Sequence, residues 1–274
     1  MRFEALFSST LLTVQSVHCR VCDRALGPEE GAAYSSLVLV QRGAFAIHRG
    51  RHCQLVDPLT AAVFRSDDEF RISHPAGCGD ITTEFRFCED IHLRLLGGAR
   101  DGCRDPSPGL SLPSSAVWAH RGLLARLAGG ACEPLEVEEE AIALAGTAAE
   151  AGRNGSPDRV RAGTRVRLAD MAARAKALVL EAPAQRWTLQ GIGRELGVSP
   201  CHLTRSFRHV TGEPLYRFLN RARLAIGLDR IAAGEEGLTG LALDLGFSSH
   251  AHFTTAFRRE YGRTPSAARA LLAQ

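Results

Sequence analysis

The sequence predicts an α+β protein with an antiparallel β structure in its N-terminal part and only helices in its C-terminal part. Two observations carry this prediction. Short β-rich runs separated by turn residues fill the first 88 positions, and residues 189–265 contain the same helical pattern twice. Amphipathic helical patterns occupy the stretch between these regions. The predicted domains are residues 1–105, a connector over residues 106–163, and a helical domain over residues 164–274.

The N-terminal part contains seven short runs rich in β-branched and aromatic residues. They span residues 11–19, 34–40, 44–48, 54–56, 61–64, 70–73 and 81–87. Glycine and proline residues separate them, among them Gly43, Gly50 and Pro58. Several short strands at close and regular spacing are typical of an antiparallel sandwich or barrel.

The connector begins with a segment rich in Asp, Pro, Ser and Gly over residues 101–112, which is typical of a linker. Two amphipathic helices are predicted next, over residues 115–128 and 135–151. A polar loop over residues 152–163 then leads into the first helix of the C-terminal domain, over residues 166–180. One interpretation of the two connector helices is that they cover an open face of the β structure.

The helical domain contains an internal repeat. Its first copy consists of Leu189, Ile192, Gly193, Leu196, Gly197, Val198, Ser199, Leu203, Phe207 and Gly212. Its second copy consists of Leu238, Leu241, Ala242, Leu245, Gly246, Phe247, Ser248, Phe253, Phe257 and Gly262. The offset is 49 residues through the first helix and 50 through the second, so one extra residue lies at or just after the second turn. In each copy a glycine can end one helix and a serine can cap the next, which predicts a helix-turn-helix.

The duplication favours DNA binding over an ordinary helical core. A single copy fits a helical hairpin equally well, whereas a helical solenoid needs at least three stacked units. Residues 214–233, between the copies, are predicted to form one helix of roughly 28 Å at 1.5 Å per residue. This length is close to the ~34 Å of one DNA turn. We therefore expect the second helix of each copy to enter successive segments of the major groove of double-stranded DNA.

The candidate DNA-binding residues lie at the starts and on the polar faces of these two recognition helices. In the first copy they are Ser199, Pro200, Cys201, His202, Thr204, Arg205 and Arg208. In the second copy they are Ser248, Ser249, His250, His252, Thr254, Thr255 and Arg258. Arg205 is the best candidate for reading a base, because arginine donates two hydrogen bonds to guanine. Arg208 and Arg258 are expected on phosphates, His250 near a base edge, and His202 either in the groove or packed against its own motif.

Charge is distributed unevenly along the chain. The formal net charge is +3, but residues 165–274 contain 16 Lys and Arg against 9 Asp and Glu. The preceding residues contain 17 Lys and Arg against 21 Asp and Glu. A basic C-terminal part that coincides with the repeat fits a nucleic-acid-binding domain attached to a domain with another role.

Residues from about 166 to 274 resemble the DNA-binding domain of the AraC/XylS family of bacterial transcription regulators. The matching positions are the turn at 197–199, His202, Leu203, Arg205, Phe207, Thr211, Gly212, Arg223, Leu224, the turn at 246–248, Phe253, Phe257, Arg258, Gly262, Thr264 and Pro265. Gly193 and Gly227 replace the alanine usual in the family, at about 1 kcal/mol of helix stability each. Thr255 stands where the second recognition helix often has arginine, which predicts more phosphate contact than base reading there.

The resemblance implies a cytoplasmic transcription activator that binds operator DNA and works with RNA polymerase. It also implies a cupin-like β-barrel at the N-terminus and a homodimer formed through the connector helices. We expect the N-terminal part to hold a small-molecule effector, and the alternative is a purely structural dimerisation module with a filled core. Residues 70–80 are similar to one subgroup of these regulators. Metal-binding cupins carry a His-x-His pair, which His48 and His52 do not form. An enzymatic cupin is therefore not expected.

Seven of the eight cysteines precede residue 133, and they prompt the question of a metal site. The candidate ligands are His18, Cys19, Cys22, Cys53, Cys78 and Cys88. The first three form half of a zinc-site pattern, but no second Cys-x2-Cys follows, and buried thiols are common in ordinary cores. We expect no metal, no cofactor and no enzymatic activity. The alternative is a cupin-type or methyl-acceptor enzyme that uses the C-terminal domain to reach DNA, and a stoichiometric metal would favour it.

The composition argues against a membrane protein. Hydrophobic residues make up 45% of the chain and charged residues 23%, as in soluble globular proteins. No run of about 18 apolar residues occurs, so no transmembrane helix is predicted. The apolar run near Glu4 is too short for a signal peptide, and a cytoplasmic protein without a membrane partner is expected.

Overall fold

The structure is a computed structural model that describes residues 1–50, 52–66, 68–77, 79–96, 110–130, 132–153 and 162–272. Most of the predicted linker over 101–112 and of the predicted polar loop over 152–163 lies outside the described residues. The metal candidate Cys78 also lies outside them.

Ten strands occur among the described residues, and all of their pairings are antiparallel. They are β1 (Arg2–Ser8), β2 (Leu12–Cys19), β3 (Glu29–Gly31), β4 (Ser36–Arg42), β5 (Phe45–Arg49), β6 (His52–Val56), β7 (Thr60–Phe64), β8 (Glu69–Ser73), β9 (Asp80–Phe87) and β10 (Leu110–Ser111). One sheet has the order β1-β2-β9-β4-β7-β10 and the other the order β3-β8-β5-β6. The predicted antiparallel N-terminal domain is confirmed.

The seven predicted strands are all present, each within two residues of its predicted bounds, and β1, β3 and β10 are additional. The strand β3 consists of Glu29, Glu30 and Gly31, which have no preference for a strand and are held by pairing with β8. The strand β10 pairs with β7. The predicted linker over 101–112 therefore ends in a strand, which corrects its C-terminal bound.

The six-stranded sheet has two different faces, because side chains alternate along each strand. On β4, Leu37 packs in the hydrophobic cluster shared with the helices, and Val38 packs in the cluster between the two sheets. On β9, Phe85 packs with the helices while Thr82 lines a cavity between the sheets. The six-stranded sheet is thus the single layer that separates this cavity from the helical part of the molecule.

The helices of the described residues follow the strands. They are α1 (Glu89–Leu96), α2 (Ser114–Gly129), α3 (Pro134–Arg153), α4 (Ala162–Glu181), α5 (Leu189–Leu196), α6 (Pro200–Thr211), α7 (Leu215–Ala232), α8 (Leu238–Asp244), α9 (His250–Tyr261) and α10 (Pro265–Leu272). Helices α1 and α10 are not predicted from the sequence. The predicted connector helices are α2 and α3, and they pack on the outer face of the six-stranded sheet.

The C-terminal domain contains the two predicted helix-turn-helix units, α5–α6 and α8–α9, joined by α7. The two unusual glycines, Gly193 on α5 and Gly227 on α7, lie at close contacts. A Cβ atom on Gly193 would lie 2.6 Å from the backbone oxygen of Val198, and one on Gly227 would lie 3.0 Å from a methyl group of Leu245. Glycine at these two positions is expected to destabilise the helices, but alanine there would disturb the packing.

The C-terminal domain packs directly against the N-terminal part and the connector. Helix α4 lies along β6, and α2 contacts α7, α9 and α10. Lys176 on α4 lies 3.0 Å from the carboxylate of Asp57, which is fully buried at the turn before β7. Trp118 on α2 contacts the ring of Tyr261 at a centroid distance of 6.1 Å. These contacts join the C-terminal domain to the turn before β7 and to the connector helix α2.

Candidate DNA-binding site

The first helix-turn-helix is formed by local signals in the sequence. Helix α5 begins at the cap Thr188, whose side chain accepts a hydrogen bond from the backbone N–H of Gly191, and it ends at Gly197. Gly197 has φ +70°, a left-handed conformation that glycine adopts without strain. Ser199 then caps α6 by accepting from the backbone N–H of His202, with Pro200 in the first turn.

Helix α6 buries one face and exposes the predicted DNA-binding residues on the other. Leu203 and Phe207 are fully buried. The predicted residues of this copy are all exposed: Ser199, Pro200, Cys201, His202, Thr204, Arg205 and Arg208. His202 is exposed as well, and its alternative role of packing against its own motif stays a prediction. The hydroxyl of Thr204 donates to the backbone oxygen of Pro200, so part of its hydrogen-bonding capacity is used within the helix.

The second unit differs from the first by the one extra residue. Gly246 ends the first helix at φ +79°, but the cap of α9 is Ser249 rather than Ser248. The hydroxyl of Ser249 accepts from the backbone N–H of His252 at 3.1 Å. Ser248 instead forms a hydrogen bond with the ring Nδ1 of His252 at 3.1 Å. The predicted capping role of Ser248 is therefore wrong, and the inserted residue lies between the glycine and the cap.

The exposed face of α9 is smaller than the sequence predicts. Phe253 and Phe257 are buried as expected, and Ser248, Ser249, His250, His252, Thr255 and Arg258 are exposed. Thr254, predicted to be exposed, is half-buried, and its hydroxyl lies 3.4 Å from Nε2 of His250. The ring of His252 packs edge-on against Phe247. Ala251, which the sequence analysis omits, is exposed in the first turn.

Buried arginines connect this site to the rest of the molecule. Arg223 on α7 donates to the backbone oxygens of Pro183 and Gln185, in the segment before the first unit, and its guanidinium lies over the ring of Phe247. Burial lowers the pKa of Arg223. The hydrogen bonds tie α7 to the segment before the first unit, and the guanidinium contact with Phe247 ties α7 to the second unit.

A chain of polar contacts runs from the sheet wall to α7. His120 is fully buried on α2, and its Nε2 lies 2.8 Å from the hydroxyl of Thr83. Its Nδ1 lies 2.7 Å from Arg121. Because arginine can only donate, Nδ1 is the acceptor, and the ring proton of the neutral imidazole is therefore on Nε2. Burial, with a smaller effect of Arg121, lowers the pKa of His120 well below its ordinary value. Nε of Arg121 lies 3.6 Å from Asp229 on α7, which also pairs with Arg42 of β4 at 2.9 Å.

Among the residues that the structure describes, the predicted metal candidates do not form a group of three or more converging ligands. His18 contacts Ser16, Cys22 is exposed, and Cys53 is half-buried on β6. Burial raises the pKa of Cys53 to about 11. Cys19 belongs to a different group: its sulfur lies 3.4 Å from Nε2 of His74, and that nitrogen lies 2.8 Å from the carboxylate of Asp80. Neither of these partners is predicted as a ligand, although both fall in residues 70–80.

The cavity between the two sheets has a volume of about 270 Å³. Its apolar walls include Val38, Phe45, Phe64, Phe70 and Ile72. The three residues of the Cys19 group line it as well, as do Glu84 and Arg86. It is therefore an apolar cavity with polar side chains converging on it, which is the usual character of a small-molecule site.

Two capped helices that expose their polar faces and are joined by one helix define a DNA-binding protein of the double helix-turn-helix class. A family model described as a helix-turn-helix domain matches residues 192–270. The regulatory protein SoxS of Salmonella typhimurium is 35% identical over 75 residues, which are 27% of this chain and 70% of SoxS. The virulence regulon transcriptional activator VirF of Yersinia enterocolitica is 31% identical over 85 residues, 31% of each chain.

The chain belongs to the AraC/XylS family of transcription regulators. The crystal structure of ToxT from Vibrio cholerae O395 aligns over 94% of this chain and 98% of its own, at 14% identity and a TM-score of 0.38. At this TM-score the two structures share too little geometry for one to inform the other. The relatives are regulators, so the comparisons give no support to the alternative enzyme. No helix among the described residues is long and apolar enough to span a membrane.

Proposed function

We propose that this protein is a sequence-specific transcription activator that reads double-stranded DNA with α6 and α9. The observation that carries the proposal is the pair of exposed recognition helices, each capped by a serine and each backed by two buried apolar side chains. The free backbone N–H groups at the N-terminus of a helix can also bind phosphates. The partners in this proposal are operator DNA and RNA polymerase, and the site of action is the cytoplasm.

The two helices divide the work unequally in this proposal. Arg205 reads a guanine from α6, because its exposed side chain can donate two parallel hydrogen bonds. Arg208 and Arg258 bind phosphates, as most arginine contacts to DNA do. Helix α9 presents Thr255 where a longer side chain would reach further, so it contributes more to affinity than to sequence discrimination, while His250 lies near a base edge. Ser248 and Ser249 offer hydroxyls close to the backbone of the DNA.

We propose three functional parts with the predicted bounds: residues 1–105 as a sensor, 106–163 as the connector, and 164–274 as the DNA-binding domain. The cavity supports a small-molecule effector in the sensor, since its walls are apolar and its polar groups converge. The connector helices cover the sheet, and homodimerisation through them is the second role proposed for them. The protein is not an enzyme in this proposal.

The contacts from the sheet to α7 support a route for the effector signal. Thr83 lies on β9, and its neighbour Thr82, on the opposite face of that strand, lines the cavity. Its hydroxyl bonds to His120, which bonds to Arg121, which faces Asp229 on the helix between the two reading units. An effector that fits one position of β9 better than another can therefore shift how α7 is held, by its differential affinity for the two arrangements.

The test is selection of bound DNA from a random library with the full-length chain. We expect one enriched motif and binding that weakens steeply with salt, because several arginines neutralise phosphates. The matched pair of variants is Arg205→Ala on α6 and Arg94→Ala, an exposed arginine on α1. The first should broaden the motif at one base pair and the second should leave it unchanged. A library that returns no enriched motif contradicts the proposal.

A further inference from the structure

The pairing of the strands brings Cys19 and Asp80 together at one end of the cavity. The two are direct partners in the β2–β9 ladder, where opposite side chains on one face lie about 5 Å apart. Gly79 allows this approach: a Cβ atom on it would lie 2.2 Å from the backbone oxygen of Cys19. His74 follows the last residue of β8, so it comes from the opposite sheet. Three residues from both walls of the sandwich therefore meet at one point.

The geometry of the three side chains is that of a converging ligand set. The sulfur of Cys19, Nε2 of His74 and a carboxylate oxygen of Asp80 all lie within 4.8 Å of one another, and all three residues are buried. Both the sulfur and the carboxylate contact the same ring nitrogen of His74. A catalytic relay uses the two different nitrogens of a histidine, so this arrangement does not form one.

The chemistry of the three groups matches one class of ion. Thiolate, imidazole and carboxylate are the ligands of zinc and similar divalent ions, at distances of about 2.0–2.3 Å. Ligands at such distances in a tetrahedron lie roughly 3.3–3.8 Å apart. The sulfur and nitrogen here are separated by 3.4 Å, within this range, whereas the nitrogen and the carboxylate oxygen are 2.8 Å apart, at the distance of a hydrogen bond. A divalent ion would also balance the two negative charges of a thiolate and a carboxylate that are both buried.

We propose that Cys19, His74 and Asp80 bind a zinc-type divalent ion whose fourth coordination position opens into the cavity. All three residues line that cavity, and three protein ligands with one open position form a site that can take a further donor atom. The thiol proton of Cys19 passes to solvent when the sulfur binds the ion. The site contradicts the expectation of no metal. The ion would be part of the effector pocket, and in that role it needs no enzymatic activity.

Burial raises the pKa of the Cys19 thiol, with the nearby carboxylate of Asp80 adding to the rise.

The probe for this site is Co²⁺ added to the full-length chain after treatment with a chelator, with Zn²⁺ as competitor. We expect one equivalent of Co²⁺ per chain, a near-ultraviolet charge-transfer absorption from a thiolate ligand, and its loss when Zn²⁺ is added. Cys19→Ser should abolish that absorption. His74→Gln and Asp80→Asn should weaken Co²⁺ binding by more than the roughly 10–100-fold that follows loss of a supporting group.

The controls are Cys22→Ser and Cys53→Ser, which change thiols outside the group and should leave the absorption and the affinity unchanged. Thermal unfolding of the wild-type chain gives a second measurement that needs no variant, since an ion bound only to the folded state raises the unfolding temperature. No absorption and no thermal shift with Co²⁺ or Zn²⁺ overturns the proposal, as does an absorption that persists in Cys19→Ser. Selection of DNA by α6 and α9 is measured separately, so either proposal can fail alone.

Discussion

Replacing Ser249 by alanine tests where the second recognition helix begins. Ser249 has an extended backbone, with φ −164° and ψ 161°, and its hydroxyl accepts from the backbone N–H of His252 at 3.1 Å. The side chain is exposed, so the substitution leaves no cavity and removes only the cap. Loss of a serine cap costs about 1 kcal/mol. For a chain of this size we expect the midpoint of thermal unfolding to fall by roughly 2–4 °C.

The matched control is Ser248→Ala, one position earlier. Its hydroxyl contacts only the exposed ring of His252 among the hydrogen bonds of the described residues, so we expect a change within about 0.5 kcal/mol. Both variants are compared with the wild-type chain by circular dichroism at 222 nm, the ordinary wavelength for helix content, during thermal unfolding. If Ser248→Ala destabilises the protein and Ser249→Ala does not, the position of the cap and the reasoning behind it are wrong.

Three further predictions concern other parts of the molecule. Arg205→Ala should lose about 1–3 kcal/mol of specific DNA binding at one base pair, whereas Arg208→Ala should weaken all sequences alike and reduce the salt slope by about 1; equal losses on every sequence for both variants would contradict the base-reading role. Burial lowers the pKa of His120, so the unfolded chain takes up a proton below about pH 6.5 while the folded chain does not. The free energy of unfolding should therefore reach its full value above that pH and decrease below it. Urea unfolding of His120→Gln should show a smaller decrease with falling pH, and an unchanged pH dependence would argue against this role of His120. Gly79→Ala should cost about 1–3 kcal/mol through a forced contact, whereas Gly31→Ala, with open space around it, should be near neutral in the same urea assay.

The helical half of the fold was accessible from the sequence because its signals are local. The apolar stripe from Leu189, the glycine at 197 and the serine at 199 fall within one helical hairpin, and the repeat confirms each by a second copy. The sequence could not predict which residue caps α9. Two serines in succession, Ser248 and Ser249, can each cap a helix, and only the backbone conformation distinguishes them.

The contents of the β-sandwich were less accessible, because they depend on strand register. Nothing in the local pattern around Cys19 indicates that Asp80 is its partner on the neighbouring strand. The pattern His18-Cys19-x2-Cys22 pointed to neighbours in sequence, but alternation along β2 places His18 and Cys19 on opposite faces. The available signal was the stretch 70–80, where His74 and Asp80 lie six residues apart around a glycine-rich turn.

The inequality of α6 and α9 has a consequence for how the protein sits on a promoter. A symmetric dimer reads a palindrome and is indifferent to which way the duplex runs. Here one chain carries two unlike readers, with arginine at the first and threonine at the equivalent place in the second, and with their starts offset by one residue. A bound chain therefore has a direction along the DNA. Reversing its site in place should turn the N-terminal part of the chain toward the opposite flank, so the orientation of the site becomes part of the regulatory information.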